Sequence, residues 1–209
     1  MKHINVSVFV PHAGCPHQCS FCNQRSISGA ASQPTAQDVR DAALVAMRSS
    51  PEGIKDGEIA FFGGSFTAID RDYMTELLSA AQEFIGENGF RGIRISTRPD
   101  AVDGEICDIL EKYRVTAVEL GAQSTDDRVL AMNRRGHTRE DIFRSARLLK
   151  ERGFETGLQM MTGLYGSTDE DCMNTARDII SLAPDTVRIY PTVVIEHTEL
   201  AELFRRGEY

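Results

Sequence analysis

Three cysteines, Cys15, Cys19 and Cys22, stand within eight residues in the pattern CxxxCxxC. Thiolates packed this closely suit an iron-sulfur cluster, zinc or copper(I), and the rest of the site decides among them. On a cubane of four irons, three protein thiolates leave one iron open to a small chelating molecule. Zinc would instead take a fourth ligand such as His12 or His17. Zinc sites usually add a second C-x(2-4)-C pair further on, and this sequence has none.

Composition narrows the setting. A chain of 209 residues, 41% hydrophobic and 7% aromatic, is long enough for one sizeable core. No apolar run approaches the roughly 18 residues of a membrane span, and the start, Met1-Lys2-His3-Ile4-Asn5-Val6, lacks a secretory signal's apolar core. Cys107 and Cys172 lie apart in helical apolar patterns and read as buried thiols. Without a disulfide framework, a reducing, cytoplasmic setting is expected. A net charge of -8 rules out the whole surface as a nucleic-acid footprint. The basic stretch Arg139, Arg144, Arg147, Lys150 and Arg152 is interleaved with Glu140, Asp141 and Glu151, which favours a solvated helix face over an RNA contact.

Strand-like and helix-like segments alternate around these residues. Strands are expected over residues 4–10, 58–62, 92–96, 115–120, 154–161 and 186–190. Helices are expected after Pro34-Thr35, over 72–85, 103–113, 125–133, 138–152 and 168–182, with a last turn near 198–205. Short strands separated by helices require parallel pairing, and right-handed crossovers curl such a sheet toward a barrel. The expected fold is therefore α/β, a partial TIM barrel of (βα)6 type, with ligands beyond the carboxyl ends of the strands.

The candidate motifs fall at those ends. Gly63-Gly64-Ser65-Phe66 follows the second strand, either as a close backbone approach to a ligand or as a tight turn. The third strand ends Ile95-Ser96-Thr97-Arg98-Pro99-Asp100, polar groups suited to hydroxyls or a carboxylate, with Asp100 read as a helix cap. Glu119 lies in an apolar strand, where an unpaired carboxylate costs several kcal/mol, so pairing with an arginine lining the site is expected. Arg135 has the fork geometry to grip a carboxylate in two bonds, whereas Arg134 reads as solvated. Tyr190 is either a ligand contact or a core aromatic closing the barrel bottom. His137 caps a helix or binds a phosphate, and only one of Met160 and Met161 can face the interior.

With Phe21 as the aromatic of CxxxCxΦC, the cysteine loop resembles the cluster motif of radical S-adenosylmethionine (SAM) enzymes. That resemblance implies a 4Fe-4S cluster on Cys15, Cys19 and Cys22, with SAM chelated at the open iron. It further implies a partial (βα)6 barrel and a flavodoxin- or ferredoxin-type electron donor. Gly63, Gly64 and Ser65 resemble the GGE-type motif that holds the SAM amino group. The segments STRPD, VTAVELGAQS, RRGHT, GFETGLQMMTGLYGSTDED and VRIYPTVVIEHTEL are similar to the radical SAM domain of the Elongator catalytic-subunit family. Oxygen-independent coproporphyrinogen oxidase is a less similar relative. By these resemblances Gln123 and Arg135 contact the methionine portion of SAM, and Gln159 and Ser96 the ribose; Tyr190, from its place at the end of the sixth strand, is read as touching adenine, relaying a proton or closing the core. Ser96 departs from the acidic residue common in both families, and Tyr165 from their usual proline. The Elongator resemblance implies modification of tRNA wobble uridine with the help of an acetyltransferase domain that follows the barrel. Residues 1–209 are expected to form one radical SAM core domain, without room for that second domain. The chain then reads as a C-terminally truncated fragment or as a shorter branch with another substrate. A metal-bearing module that docks RNA or a partner without chemistry is the reading from a different class.

Overall fold

The computed structural model describes residues 4–11, 15, 19–24, 32–50 and 53–209. Six strands are present among them: β1 (Asn5–Val10), β2 (Glu58–Gly63), β3 (Gly92–Thr97), β4 (Val115–Gln123), β5 (Glu155–Thr162) and β6 (Thr186–Pro191). They pair in sequence order, every pair parallel, and curl into half of a barrel. The partial barrel expected from the alternating segments is what forms.

Among the described residues there are seven helices: α1 (Ala36–Arg48), α2 (Arg71–Gln82), α3 (Gly104–Lys112), α4 (Asp127–Met132), α5 (Arg139–Glu151), α6 (Asp169–Ser181) and α7 (Glu199–Arg205). Each begins at a Thr or Asp whose side chain accepts a first-turn backbone N–H, a donor that would otherwise be orphaned. Thr35, Thr138 and Thr168 make full capping boxes with the aspartates three residues on. Asp100 does not cap a helix. Pro99 to Ala101 form a 3₁₀ turn in which Asp100 takes the Arg98 guanidinium, and Asp103 caps α3 instead. The helix expected over 72–85 stops at Gln82, because Phe84 and Ile85 donate to Ala81 and Gln82 in tighter turns.

The two faces of the sheet differ in kind. Outward, Ile59, Phe61, Ile93, Ile95, Val118, Leu120, Leu158 and Met160 are buried in the core, which also takes in Leu77, Leu110 and Leu149 of the helices. Cys107 lies in this core as expected, while Cys172 is only half-buried, its Sγ 3.4 Å from Ser167 Oγ. Met161 alternates to the other face and is half-buried, as the strand period requires.

Inward, the barrel bottom is an ion-pair network. Arg94 reaches Glu58 at 2.6 Å, Glu155 at 2.5 Å and Glu119 at 3.2 Å. Arg188 meets Glu119 at 2.6 Å. Burial acts to raise the Glu58 carboxyl, but hydrogen bonds from Arg91 and Arg94 overcome it and hold the group below its ordinary range. Glu119 is thus paired, but its arginines, Arg94 and Arg188, come from below the ligand cavity rather than from its lining.

Candidate active site

At the carboxyl ends of the strands lies a cavity of about 190 Å³. Cys15, Cys19, Phe21 and Cys22 form one side of it, and Gly63, Gly64 and Ser65 after β2 form the next. Ser96 and Thr97 from β3 with Arg98 just after it, Gly121 and Gln123 from β4, Arg135, and Gln159 from β5 complete the wall with Gln24. The fold thus gathers to one place residues separated by more than a hundred positions in sequence. His12, His17 and Gln18, and with them the proposed histidine ligands of a zinc site, lie outside the described residues. Among the described residues, no three His, Cys, Asp or Glu side chains converge on a point that would hold a single metal ion.

The cysteine loop is closed by a turn in which Cys22 N–H donates to Cys19 O at 3.1 Å. Burial, then the neighbouring Cys19 and Cys15 sulfurs, push the Cys22 thiol up to about 11, and the Arg135 guanidinium offsets part of this. Cys15 stands at the exposed rim, its Sγ 3.8 Å from the buried Ser65 hydroxyl. Gly63 takes φ +117°, and a Cβ there would stand 2.8 Å from Val10 O. Its carbonyl accepts from the Gln24 amide, and Gly64 N–H donates to Val10 O at 2.8 Å. Gly63 therefore lets the end of β2 lie directly against the Val10 carbonyl of β1.

β4 runs past the expected end at Leu120 to Gln123, and its register with β5 shifts between Gly121 and Gln123. The bulge leaves Gln123 at φ +68°, aiming its side chain into the cavity wall. A Cβ on Gly121 would meet Gln123 Nε2 at 3.1 Å and Arg135 Nη2 at 3.4 Å, so a side chain there would crowd the Gln123 amide. Arg135 donates through Nη2 to Gly121 O at 2.7 Å and through Nη1 to Cys19 Sγ at 3.2 Å. On β5, Gln159 Nε2 donates to Glu119 Oε2 at 2.7 Å, which orients its amide. Glu119 is the positioning residue that sequence reasoning marked only as needing a partner.

Two polar atoms of this wall, Gln123 Oε1 and Arg135 Nε, are buried without a partner. An unpaired buried acceptor and an unpaired buried donor each cost on the order of 1–3 kcal/mol unless something completes them. An α-amino acid group, with an ammonium to give and a carboxylate to accept, meets both needs. The donor set thus fits a thiolate-held cluster together with the amino acid end of SAM. Thiolates that each serve a different iron also have no reason to converge on one point.

Tyr190 does not line the cavity. It is 41% exposed on β6, its hydroxyl 3.5 Å from Arg188 Nη1, so it is not a core aromatic. The exposure is topological: among the described residues β6 pairs only with β5 and no further strand pairs beyond it. The basic stretch of α5 is engaged locally, Arg139 with Asp178 and Arg144 with Asp141, while Lys150 donates to Leu182 and Ala183 carbonyls. The solvated helix face is the reading that fits.

His137 turns inward beside the site, 3% exposed, with Nε2 3.1 Å from Ala122 O and Nδ1 without a partner. It does not cap α5; Thr138 does. Burial, then the Arg135 charge, lower its pKa from 6.5 to about 4. Because the folded value lies below the unfolded one, the unfolded chain takes up this proton first as pH falls. The neutral ring's full contribution is present above pH 6.5 and is lost toward pH 4, roughly 3 kcal/mol in all. Urea midpoints across that window should fall for the native chain, and His137→Gln should flatten the slope. An unchanged slope in His137→Gln would assign the pH dependence to other groups.

A curled parallel half-barrel with a three-cysteine loop at its carboxyl face defines a class. The profile described as the radical SAM superfamily matches residues 9–179, and the chain belongs to that superfamily. A tRNA uridine(34) acetyltransferase of Methanocaldococcus infernus is 30% identical over 172 residues, covering 73% of this chain and 32% of the relative. The solved archaeal Elp3 of Methanocaldococcus infernus, lacking residues 1–46, superposes with a TM-score of 0.77 at 26% identity, covering 99% of this chain and 50% of that one. Coproporphyrinogen III oxidase from Escherichia coli shares the fold, with a TM-score of 0.67 at 19% identity over 96% of this chain and 46% of its own. The chain thus spans about a third of the curated relative and half of the solved one.

Proposed function

We propose that this chain is the radical-generating domain of an enzyme of the Elongator catalytic-subunit type, acting on a uridine of tRNA. When bound, the cluster and SAM supply one electron and a sulfonium carbon-sulfur bond whose cleavage yields methionine and a 5′-deoxyadenosyl radical. The chain's residues hold, orient and shield. Cys15, Cys19 and Cys22 hold three irons through thiolates. Gln123 Oε1 accepts from the amino group of SAM, and Arg135 Nε donates to its carboxylate, aided by Gly63, Gly64 and Ser65 at the glycine turn. Gln159, oriented by Glu119, and Ser96 take the ribose hydroxyls. Phe21 covers the loop and excludes water.

The observation that carries this reading is the buried pair Gln123 Oε1 and Arg135 Nε, unpartnered within one cavity with three cysteines. The substrate class rests on the relative whose name places its action on tRNA uridine. For the test, anaerobically reconstituted chain is given SAM and dithionite, the latter in place of a flavodoxin- or ferredoxin-type donor. Release of 5′-deoxyadenosine is expected, and with tRNA and acetyl-CoA, each deuterated in turn, it should acquire the label from one of them. No release from a cluster-loaded sample would overturn the enzyme class, and release without transfer from either compound would overturn the substrate.

A further inference from the structure

Ser20, between two of the cysteines, is 1% exposed, and Asn133, 113 residues later, is fully buried. Every polar group of Ser20 is engaged. Its hydroxyl donates to Asn133 Oδ1 at 2.8 Å, and its N–H to Asn133 O at 3.2 Å. Its carbonyl accepts from Leu200 N–H, in the first turn of α7, at 2.8 Å. Asn133 is itself held, because its Nδ2 donates to Val129 O and to Tyr165 O, both at 2.9 Å.

The next two residues reach to the same two places. Arg134, in the left-handed region at φ +53°, turns outward and meets Glu199, the first residue of α7, at 2.8 Å. Arg135 turns back toward the cavity and donates to Cys19 Sγ at 3.2 Å, while its own carbonyl accepts from Arg98 Nη2 at 2.7 Å. Three consecutive side chains after α4 thus go to Ser20, to Glu199 and to Cys19. A loop that must present thiolates at fixed spacing has few backbone bonds of its own, so its geometry depends on such outside partners.

We propose that Asn133-Arg134-Arg135 is a positioning clip that fixes the cysteine loop and ties it to α7, with Asn133 as its central residue. The proposal rests on the reading that these cysteines carry the cluster. Within it, α7 supports the loop from nearly two hundred residues away in sequence. The Asn133 carboxamide suits the task because it accepts from the loop and donates to two carbonyls at once, which neither aspartate nor leucine of similar size can do.

The test compares the native chain with Asn133→Ala, Ser20→Ala, the double variant and Arg134→Gln. Hydrogen exchange of the Ser20, Phe21 and Cys22 amides is read on the cluster-free chain, and the rate of iron loss to a chelator on the reconstituted one. Removing the Ser20–Asn133 bond should speed both by roughly tenfold, while amides of β3 and α3 stay protected. The double variant should exceed Asn133→Ala by less than the Ser20→Ala effect alone, since both remove one bond. Arg134→Gln should loosen α7 amides together with the loop. Unchanged loop exchange, or a rise shared equally by every core amide, overturns the clip. Should Asn133→Ala fail to fold, Ser20→Ala carries the comparison alone. The exchange arm needs no metal, so failure of the native chain to take up iron would count against the proposed function and leave the clip to be judged by exchange.

Discussion

Replacing Cys19 with alanine should reduce iron uptake, brown colour and 5′-deoxyadenosine release to background. Cys19 faces the cavity, is half-buried, and receives the Arg135 guanidinium at 3.2 Å. Under the proposed function, two thiolates would then remain for a cluster that needs three, and Arg135 loses a partner that keeps it beside the site. Cysteine itself is not what matters, only its place: Cys107, on α3, is buried in the core, and Cys172 bonds to Ser167 on the outer layer. Cys172→Ala should therefore leave both colour and release close to native. Iron analysis with visible spectra separates the outcomes, and a brown, active Cys19→Ala protein would mean that the loop is not the cluster site.

The second large effect is on folding. Glu119→Ala should destabilise the chain by about 3–5 kcal/mol, read from urea midpoints at constant slope. Glu119 is 1% exposed and takes three donors, Arg188 at 2.6 Å, Gln159 at 2.7 Å and Arg94 at 3.2 Å. Alanine leaves one buried guanidinium short of a counter-charge and frees the amide of Gln159. Glu119→Gln keeps the shape and an acceptor but removes the charge, so its loss should be smaller. The two variants should also differ at the cavity, where a freed Gln159 weakens SAM binding beyond what the stability loss accounts for. Equal SAM affinity in native and Glu119→Ala protein would show that Gln159 is not oriented from below.

Helix starts were legible because they are local. A Thr or Asp side chain folds back on its own first turn, so Thr35, Asp103, Thr138 and Thr168 mark helices without reference to anything distant. Where two such residues competed, as Asp100 and Asp103 did, the proline between the strand and the helix settled the matter by building a short 3₁₀ turn first. The boundary at Gln123 was not legible, since the bulge after Gly121 depends on how β5 pairs alongside.

By itself the sequence determined the three-cysteine loop, the alternation that requires a parallel sheet, and the placing of Gly63, Ser96 and Gln123 at strand ends or just beyond them. These follow from spacing and from period, which are properties of neighbours in the chain. Only the tertiary structure decided that Tyr190 stands outside the cavity, that Arg94 and Arg188 share Glu119, and that Asn133 meets Ser20. Such contacts join positions 25 to 113 residues apart, and their partners are chosen by how far the sheet curls and where it stops. A side chain's type says what it can bond, but the half-barrel's open edge and packed floor set what it reaches.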